Sequence, residues 1–498
     1  MRTRRLNLSA VPFALTAVIL AGCTAQSTST TSESTTSSGT STTQAAVVID
    51  SDLQAEAVIA ANDDSTVTRD DEWSEDDAVD VVLHGSTATT DASGIEVSDG
   101  TVTITESGVY RLSGSLEGSV VVAAPDDALV VLILDGVGIQ NSAGPAIRVD
   151  SADDVAISLA AGSENTVSDA SSYADDADAN AAIYAASDLT ITGTGSLTVT
   201  GNGNDGIATS DDLVILSGDI TVDAVDDGLR GKDSLTIEGG TIVVTAGGDA
   251  LKSDQDDDTT RGWILIEGGD LTATSGDDAL AAATDVVITG GTVSLDAGSG
   301  SDTTDSPKGV SAGAVAVLDG GDITITATDD GVHSDGSVGI GGASVDIAAG
   351  DDGVHAEQTL EIRDGEVTIH AVEGLEAPVI VIEGGGITVN ASDDGINASA
   401  SDVVTSGLGI TISGGDITIV MGSGDTDAID SNGDLTITGG TLDITANSSF
   451  DYDGTGSMTG ATVTVNGETI TELTNSMMGG GGMGGSGMGG APGDGRRP

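Results

Sequence analysis

The residues able to do chemistry are carboxylates, and they recur. An acidic residue precedes a small one at Asp205, Asp227, Asp249, Asp278, Asp330, Asp352, Glu373, Asp394 and Asp427, with Lys308 interrupting the series. A further acidic residue stands directly before five of them, at Asp226, Asp277, Asp329, Asp351 and Asp393. The small residues run from Gly206 to Ala428 at intervals of 22, 22, 29, 30, 22, 22, 21, 21 and 33. If each period is one coil of a solenoid, equivalent residues stack about 4.8 Å apart and the carboxylates form columns. Two unit charges about 5 Å apart repel by about 3 kcal/mol at an effective dielectric of about 20. Salt at about 0.15 M screens only over about 8 Å. Such columns must take up cations, bind protons or splay into water. Oxygen ligands at this density suit Ca²⁺, which takes roughly six to eight of them. The alternative is that each Asp is a turn residue bonding its own backbone beside the glycine.

A second ladder lies two residues after the small one: Ala208, Arg230, Lys252, Ala281, Ser311, His333, His355, Glu376, Asn397 and Asp430. Arg230 and Lys252 are neighbours on it, with Lys232 close by, in a chain that has three lysines. These bases could hold a sugar carboxylate or neutralise the Asp columns. His333 and His355 stack likewise, as a metal-binding pair or as a surface pair.

The elements that position these residues repeat with them. A strand–turn–strand phrase appears as LTIEGGTIVVTA from Leu235, ILIEGGDLTATS from Ile264, LEIRDGEVTIHA from Leu360 and LTITGGTLDITA from Leu435. Each half alternates apolar and polar residues with period two, as a strand with one buried face does. The Gly pair allows positive φ at a tight corner. Three short strands and three corners per period of about 21–22 residues predict an all-β, right-handed parallel β-helix. Stacked ladders of Val, Ile, Leu and Ala then fill a narrow interior. That accounts for a core with 2% aromatics over 498 residues.

The formal net charge is -67, which excludes nucleic acid as a partner, because phosphate binding needs a basic surface. At the N-terminus, Arg2, Arg4 and Arg5 precede an apolar run, and Leu20-Ala21-Gly22-Cys23 resembles a bacterial lipobox. The run is too short for a good membrane span. Residues 1–22 are therefore expected to be a lipoprotein signal peptide and Cys23 the lipidated residue. Membrane contact would then be through the lipid only, with the protein outside the cytoplasmic membrane at the cell surface. Residues 23–72, rich in Ser and Thr and then acidic, read as a tether, whose acidic part from residue 45 is a linker or a short cap. Residues 73–473 read as the β-helix and residues 474–498, rich in Gly and Met, as a disordered tail. A monomer is expected.

Several stretches together resemble the bacterial carbohydrate-binding-domain family of right-handed β-helices. They are DDGLRGKDSLTIEGGTIVVTAGGDALKSDQ from Asp226, VLILDGVGIQNSAGPAI from Val131, GVYRLSGSLEGSVVV from Gly108 and YADDADANAAIYAASDLTITGTGSL from Tyr173. The resemblance implies a secreted or surface protein that binds polysaccharide, including acidic pectin-like chains, with bound Ca²⁺ and a fold similar to Ca²⁺-dependent pectate lyases. It also implies calcium ligands at Asp226, Asp227, Asp249 and Asp254, and at the Asp pairs beginning at 277, 329, 351 and 393. The chain departs from the pattern with Ala250, Ala279 and Ala428 in place of Gly and Lys308 in place of Asp.

The expected function is calcium-dependent binding of an acidic or wall-associated polysaccharide. Asp205, Asp226, Asp227, Asp249, Asp254, Asp277, Asp278, Asp329, Asp330, Asp351, Asp352, Asp393 and Asp394 would hold metal. Arg230, Lys232, Lys252, His333 and His355 would contact the ligand. Two alternatives remain open. In a calcium-dependent polysaccharide lyase, Lys252 or Arg230 would be the base that takes the proton acidified by the metal. In a structural or adhesive rod, the Asp ladders would be solvated turns.

Overall fold

The computed structural model describes residues 53–174, 177–299, 306–423 and 426–475, all within one unit, Ala46–Pro498. The expected signal peptide, Cys23, the part of the expected tether up to residue 52 and residues 476–498 lie outside the described residues.

Each coil contributes three strands, and each strand pairs in parallel with its equivalent in the next coil. In one coil these are Ser234–Ile237, Thr241–Ala246 and Leu251–Ser253. Leu235 pairs with Ile264, Ile242 with Leu271 and Leu251 with Leu280. The first and second strands of successive coils build a 31-stranded sheet and the third strands a 16-stranded one. The result is a β-solenoid-like stack of long parallel sheets. Antiparallel hairpins stand at either end: Val79–Gly85 with Thr87–Thr90, and Thr462–Val465 with Glu468–Ile470.

The second strands behave as the alternation requires. Thr241–Ala246 reads exposed, buried, exposed, buried, exposed, buried. Between first and second strands the second glycine of most pairs has positive φ, as at Gly240 (102°), Gly269 (88°) and Gly291 (93°). The glycine before the third strand answers a different demand, close approach. A Cβ on Gly331 would lie 2.3 Å from Ile347 Cγ2 and 2.6 Å from the carbonyl oxygen of Gly353. Ala250, Ala279 and Ala428 occupy the same column fully buried, so a methyl is accommodated in some coils.

The tether expectation for residues 53–72 is corrected by the fold. Helix Ala55–Ala61 turns Ala55 and Val58 onto Trp263, Leu265, Val287 and Val317, which point outward from the first strands. Beyond it the arm is pinned by polar contacts. Thr66 N–H donates to Asp212 Oδ2 at 2.8 Å, Thr68 N–H to Thr190 Oγ1 at 3.0 Å, and the Arg69 guanidinium makes two bonds of 2.6 Å to Glu238. Trp263 is therefore covered by the arm and offers no sugar-stacking platform. Among the described residues, no helix is long and apolar enough to cross a membrane.

Candidate functional site

The corner leading into the third strand places the acidic pairs. The inner column points into the stack: Asp205, Asp227, Asp249, Asp330 and Asp352 are buried, and Asp278 and Asp394 half-buried. The outer residue is half-buried or exposed, as at Asp226, Asp277, Asp329, Asp351 and Asp393.

Six of the inner carboxylates divide their two oxygens between two tasks. Oδ1 accepts a backbone N–H from the equivalent residue of the next coil. Asp227 N–H donates to Asp205 (3.3 Å), Asp249 to Asp227 (3.0 Å), Asp278 to Asp249 (3.0 Å) and Lys308 to Asp278 (2.7 Å). The pattern continues from Asp352 to Asp330 (3.2 Å) and from Asp427 to Asp394 (3.1 Å). These bonds run between coils, so the inner Asp is more than a local turn residue. It satisfies a buried N–H that would otherwise lack a partner. Oδ2 is left to face the second ladder.

What Oδ2 meets divides the column in two. In the first half it meets bases. Lys252 Nζ lies 3.1 Å from Asp227 Oδ2 and 2.8 Å from Asp249 Oδ2. Arg230 donates through Nε (3.1 Å) and Nη2 (2.6 Å) to Asp254 Oδ2. Burial opposes the charge on Lys252, but Asp249 and Asp227 outweigh it and raise its pKa. Lys232 follows in the turn and makes no ion pair among the described residues. Charge is still not fully balanced here. Burial, with Asp227 and Asp226 adding to it, pushes Asp205 up to about 7. Burial and Asp227 push Asp249 up to about 7 even against Lys252.

In the second half Oδ2 meets histidines. His333 and His355 pair in register on adjacent third strands, with ring centroids 5.0 Å apart in a T-shaped arrangement. His333 Nδ1 lies 3.0 Å from Asp330 Oδ2, and His355 Nδ1 lies 3.3 Å from Asp352 Oδ2 and 3.9 Å from Asp330 Oδ2. The bond to Asp352 raises His355 to about 9 against its burial, with Glu376 assisting. Burial would raise Asp330, but His333 and Lys308 overcome it and hold this carboxyl below its ordinary range. Lys308 Nζ sits 2.6 Å from Asp329 Oδ2 and 4.0 Å from Asp330 Oδ2. The lysine that interrupts the acidic series thus caps this half.

Four groups among the described residues could hold a metal ion: Asp329–Asp330–Asp351, Asp330–His333–His355, Asp352–His355–Glu376 and Asp188–Asp211–Asp212. The outer column explains why only one of the expected all-carboxylate clusters forms. Asp226 is flanked by Asn204 and Gly248 in the neighbouring coils, and Asp277 by Gly248 and Pro307. Only Asp329 and Asp351 are consecutive. Of the expected ligands, Asp329, Asp330, Asp351 and Asp352 come together in such groups. Asp205, Asp226, Asp227, Asp249, Asp254, Asp277, Asp278, Asp393 and Asp394 do not.

Sequence reasoning missed Asp188–Asp211–Asp212. These residues enter the first strands beneath the N-terminal arm and line a cavity of about 390 Å³ with Asp63, Asp64, Asp233 and Arg261. Burial and then Asp211 push Asp188 up to about 7. The signal was an Asp opening several of the first strands, before Leu189, Leu213, Val286 and Leu435, at Asp188, Asp212, Asp285 and Asp434.

A profile of the carbohydrate-binding domain-containing protein family matches residues 98–353 and 348–477, so the chain belongs to that family. A carbohydrate-binding domain-containing protein of Acetivibrio thermocellus is 40% identical over 136 residues, 26% of this chain and 48% of that relative. The chain thus spans about half the length of the curated relative it matches. Among solved structures, the polysaccharide lyase-like protein from C. thermocellum, a gadolinium derivative, overlays with a TM-score of 0.42 at 32% identity. The overlay covers 57% of this chain and 96% of that one.

Proposed function

We propose that this chain is a polysaccharide-binding protein of the bacterial cell surface, its coils wound as a right-handed parallel β-helix. Ca²⁺ held by stacked carboxylates would bridge to an acidic, pectin-like or wall-associated glycan. The observation that carries this reading is the Asp329–Asp330–Asp351 group. It is an all-oxygen donor set where two double-Asp corners stack, and that donor chemistry fits Ca²⁺ once Lys308 Nζ, 2.6 Å from Asp329 Oδ2, swings aside. Asp188–Asp211–Asp212 offers a second set of the same kind. A chain of net charge -67 repels a polyuronate unless a cation intervenes. In that second set Asp188, pushed up by burial and by Asp211, marks where positive charge is wanted.

The lyase reading is weaker on geometry. A general base must be free to accept a proton. Lys252 is engaged by two carboxylates that hold it charged, and Arg230 is bound to Asp254. Incubation with polygalacturonate and Ca²⁺ separates the readings. Binding predicts that the protein sediments with the polymer without a rise in unsaturated-product absorbance. A rise would establish a lyase, and neither signal would leave a structural rod.

Surface location rests on Leu20-Ala21-Gly22-Cys23. Cells making the wild-type chain should incorporate radioactive fatty acid into it, and Cys23→Ser should abolish the label. Equal labelling of both forms would exclude a lipid on Cys23.

A further inference from the structure

The histidine half of the column does not have the chemistry of a calcium site. We propose that Asp330, His333 and His355 form a site for a borderline-soft divalent ion of the Zn²⁺ class, sharing Asp330 with the Asp329–Asp330–Asp351 group and with Asp352 as the nearest further carboxylate. This goes beyond the calcium reading and does not depend on it.

The donor set is the first argument. Two imidazoles and a carboxylate suit Zn²⁺ and its transition-metal neighbours, whereas Ca²⁺ takes oxygen. Geometry is the second. Ligand atoms at about 2.0–2.2 Å from a tetrahedral ion stand about 3.3 Å from one another. Here His333 Nδ1 is 3.0 Å and His355 Nδ1 3.9 Å from Asp330 Oδ2, and the three donor atoms lie within 4.8 Å of one another. Small side-chain rotations would close them onto one ion.

The surroundings are the third argument. The far nitrogen of His333, Nε2, lies 3.3 Å from Asp335 Oδ1. A carboxylate behind a histidine fixes the ring's tautomer and orientation in metal sites. Asp330 Oδ1 is occupied by the Asp352 N–H at 3.2 Å, which aims Oδ2 at the rings. Both histidines sit on paired strands of the parallel stack, so their spacing is set by backbone hydrogen bonds. Two histidines in register therefore present the same nitrogen to one buried carboxylate. Lys308 Nζ, 4.0 Å from Asp330 Oδ2, opposes a cation there and sets the affinity below what the ligands alone would give.

The test uses the full chain without a histidine tag, in millimolar Ca²⁺. Zn²⁺ is titrated calorimetrically, and Co²⁺ is added as a spectroscopic stand-in. The expected result is a Zn²⁺ site that Ca²⁺ does not displace, with visible Co²⁺ bands of nitrogen–oxygen coordination. His333→Ala and His355→Ala should each weaken Zn²⁺ by more than about 100-fold, beyond the roughly 10–100-fold that an outer-shell partner is worth. Asp329→Asn should leave it intact, and Lys308→Met should tighten it several-fold. This last variant keeps the test decisive if the histidine variants fail to fold. Absent Co²⁺ bands, binding that survives both histidine changes, or no gain with Lys308→Met would each overturn the site. If Zn²⁺ binds as described and Ca²⁺ does not bind at all, this inference stands and the calcium reading falls.

Discussion

Freed of metal, the protein should become less stable as pH rises from about 4 to about 8, the reverse of ordinary acid denaturation. Asp188, Asp205, Asp249 and Glu373 are each pushed up to about 7, and burial is the leading cause in every case. A carboxyl whose folded pKa exceeds its unfolded value favours the fold fully below the unfolded pKa. That contribution is lost as pH climbs through the folded one. The window is therefore roughly pH 4 to 7. A single carboxyl displaced by about two pH units changes stability by about 2.6 kcal/mol, so several of them outweigh the opposite contribution of Asp330, which is held low. Calcium held at Asp188–Asp211–Asp212 acts on the ionised form there and should offset part of the loss. A ligand bound only by the native state adds about 2.7 kcal/mol at a hundredfold excess over its Kd. Thermal unfolding at pH 5 and pH 8, with chelator and with millimolar Ca²⁺, measures both effects. Equal shifts from NaCl at matched ionic strength would reduce the calcium effect to screening.

Trp263→Ala should cost about 3 kcal/mol or more of stability, in line with loss of a large buried aromatic. Trp263 is 5% exposed and joins the outer face of the first strands to Ala55 and Val58 of the arm. Losing it should loosen the arm as far as Thr66, whose N–H caps Asp212. Residues 53–68 should then become sensitive to protease while the coils stay protected. Glycan binding through Asp329–Asp330–Asp351 should persist per folded molecule, because those corners lie away from the arm, whereas the Asp188–Asp211–Asp212 set beneath it should weaken. Urea unfolding and limited proteolysis check this. A loss under about 1 kcal/mol with an uncut arm would show that the contact does not hold the arm in place.

The coil period, the three strands and the alternation of buried and exposed positions were legible in the sequence, because each is a one-dimensional pattern. So was the pairing of Arg230 with Lys252 and of His333 with His355, since equal offsets from the small residue become neighbours in a parallel stack. The roles of the two carboxylate oxygens were not legible. The bond from one coil's N–H to the previous coil's Asp exists only once the register is set. Nor was the splitting of the column, because it depends on Gly248 and Pro307 interrupting the outer residues. The docked arm did leave a trace. Trp263-Ile264-Leu265-Ile266 is apolar throughout, and such a strand is covered on both faces, yet the seven-residue helix that covers it is too short to announce itself by periodicity.

The central claim is that a protein-bound cation, and not the scarce bases, joins this acidic chain to an acidic glycan. Retention on immobilised polygalacturonate, measured across free Ca²⁺ concentration, tests it most directly. Retention should rise with Ca²⁺ occupancy of the protein and vanish in chelator. It should weaken by at least tenfold, about 1.4 kcal/mol, in a folded Asp329→Asn, Asp351→Asn double variant. Retention that persists in chelator and is lost instead on changing Arg230 and Lys252 would contradict it.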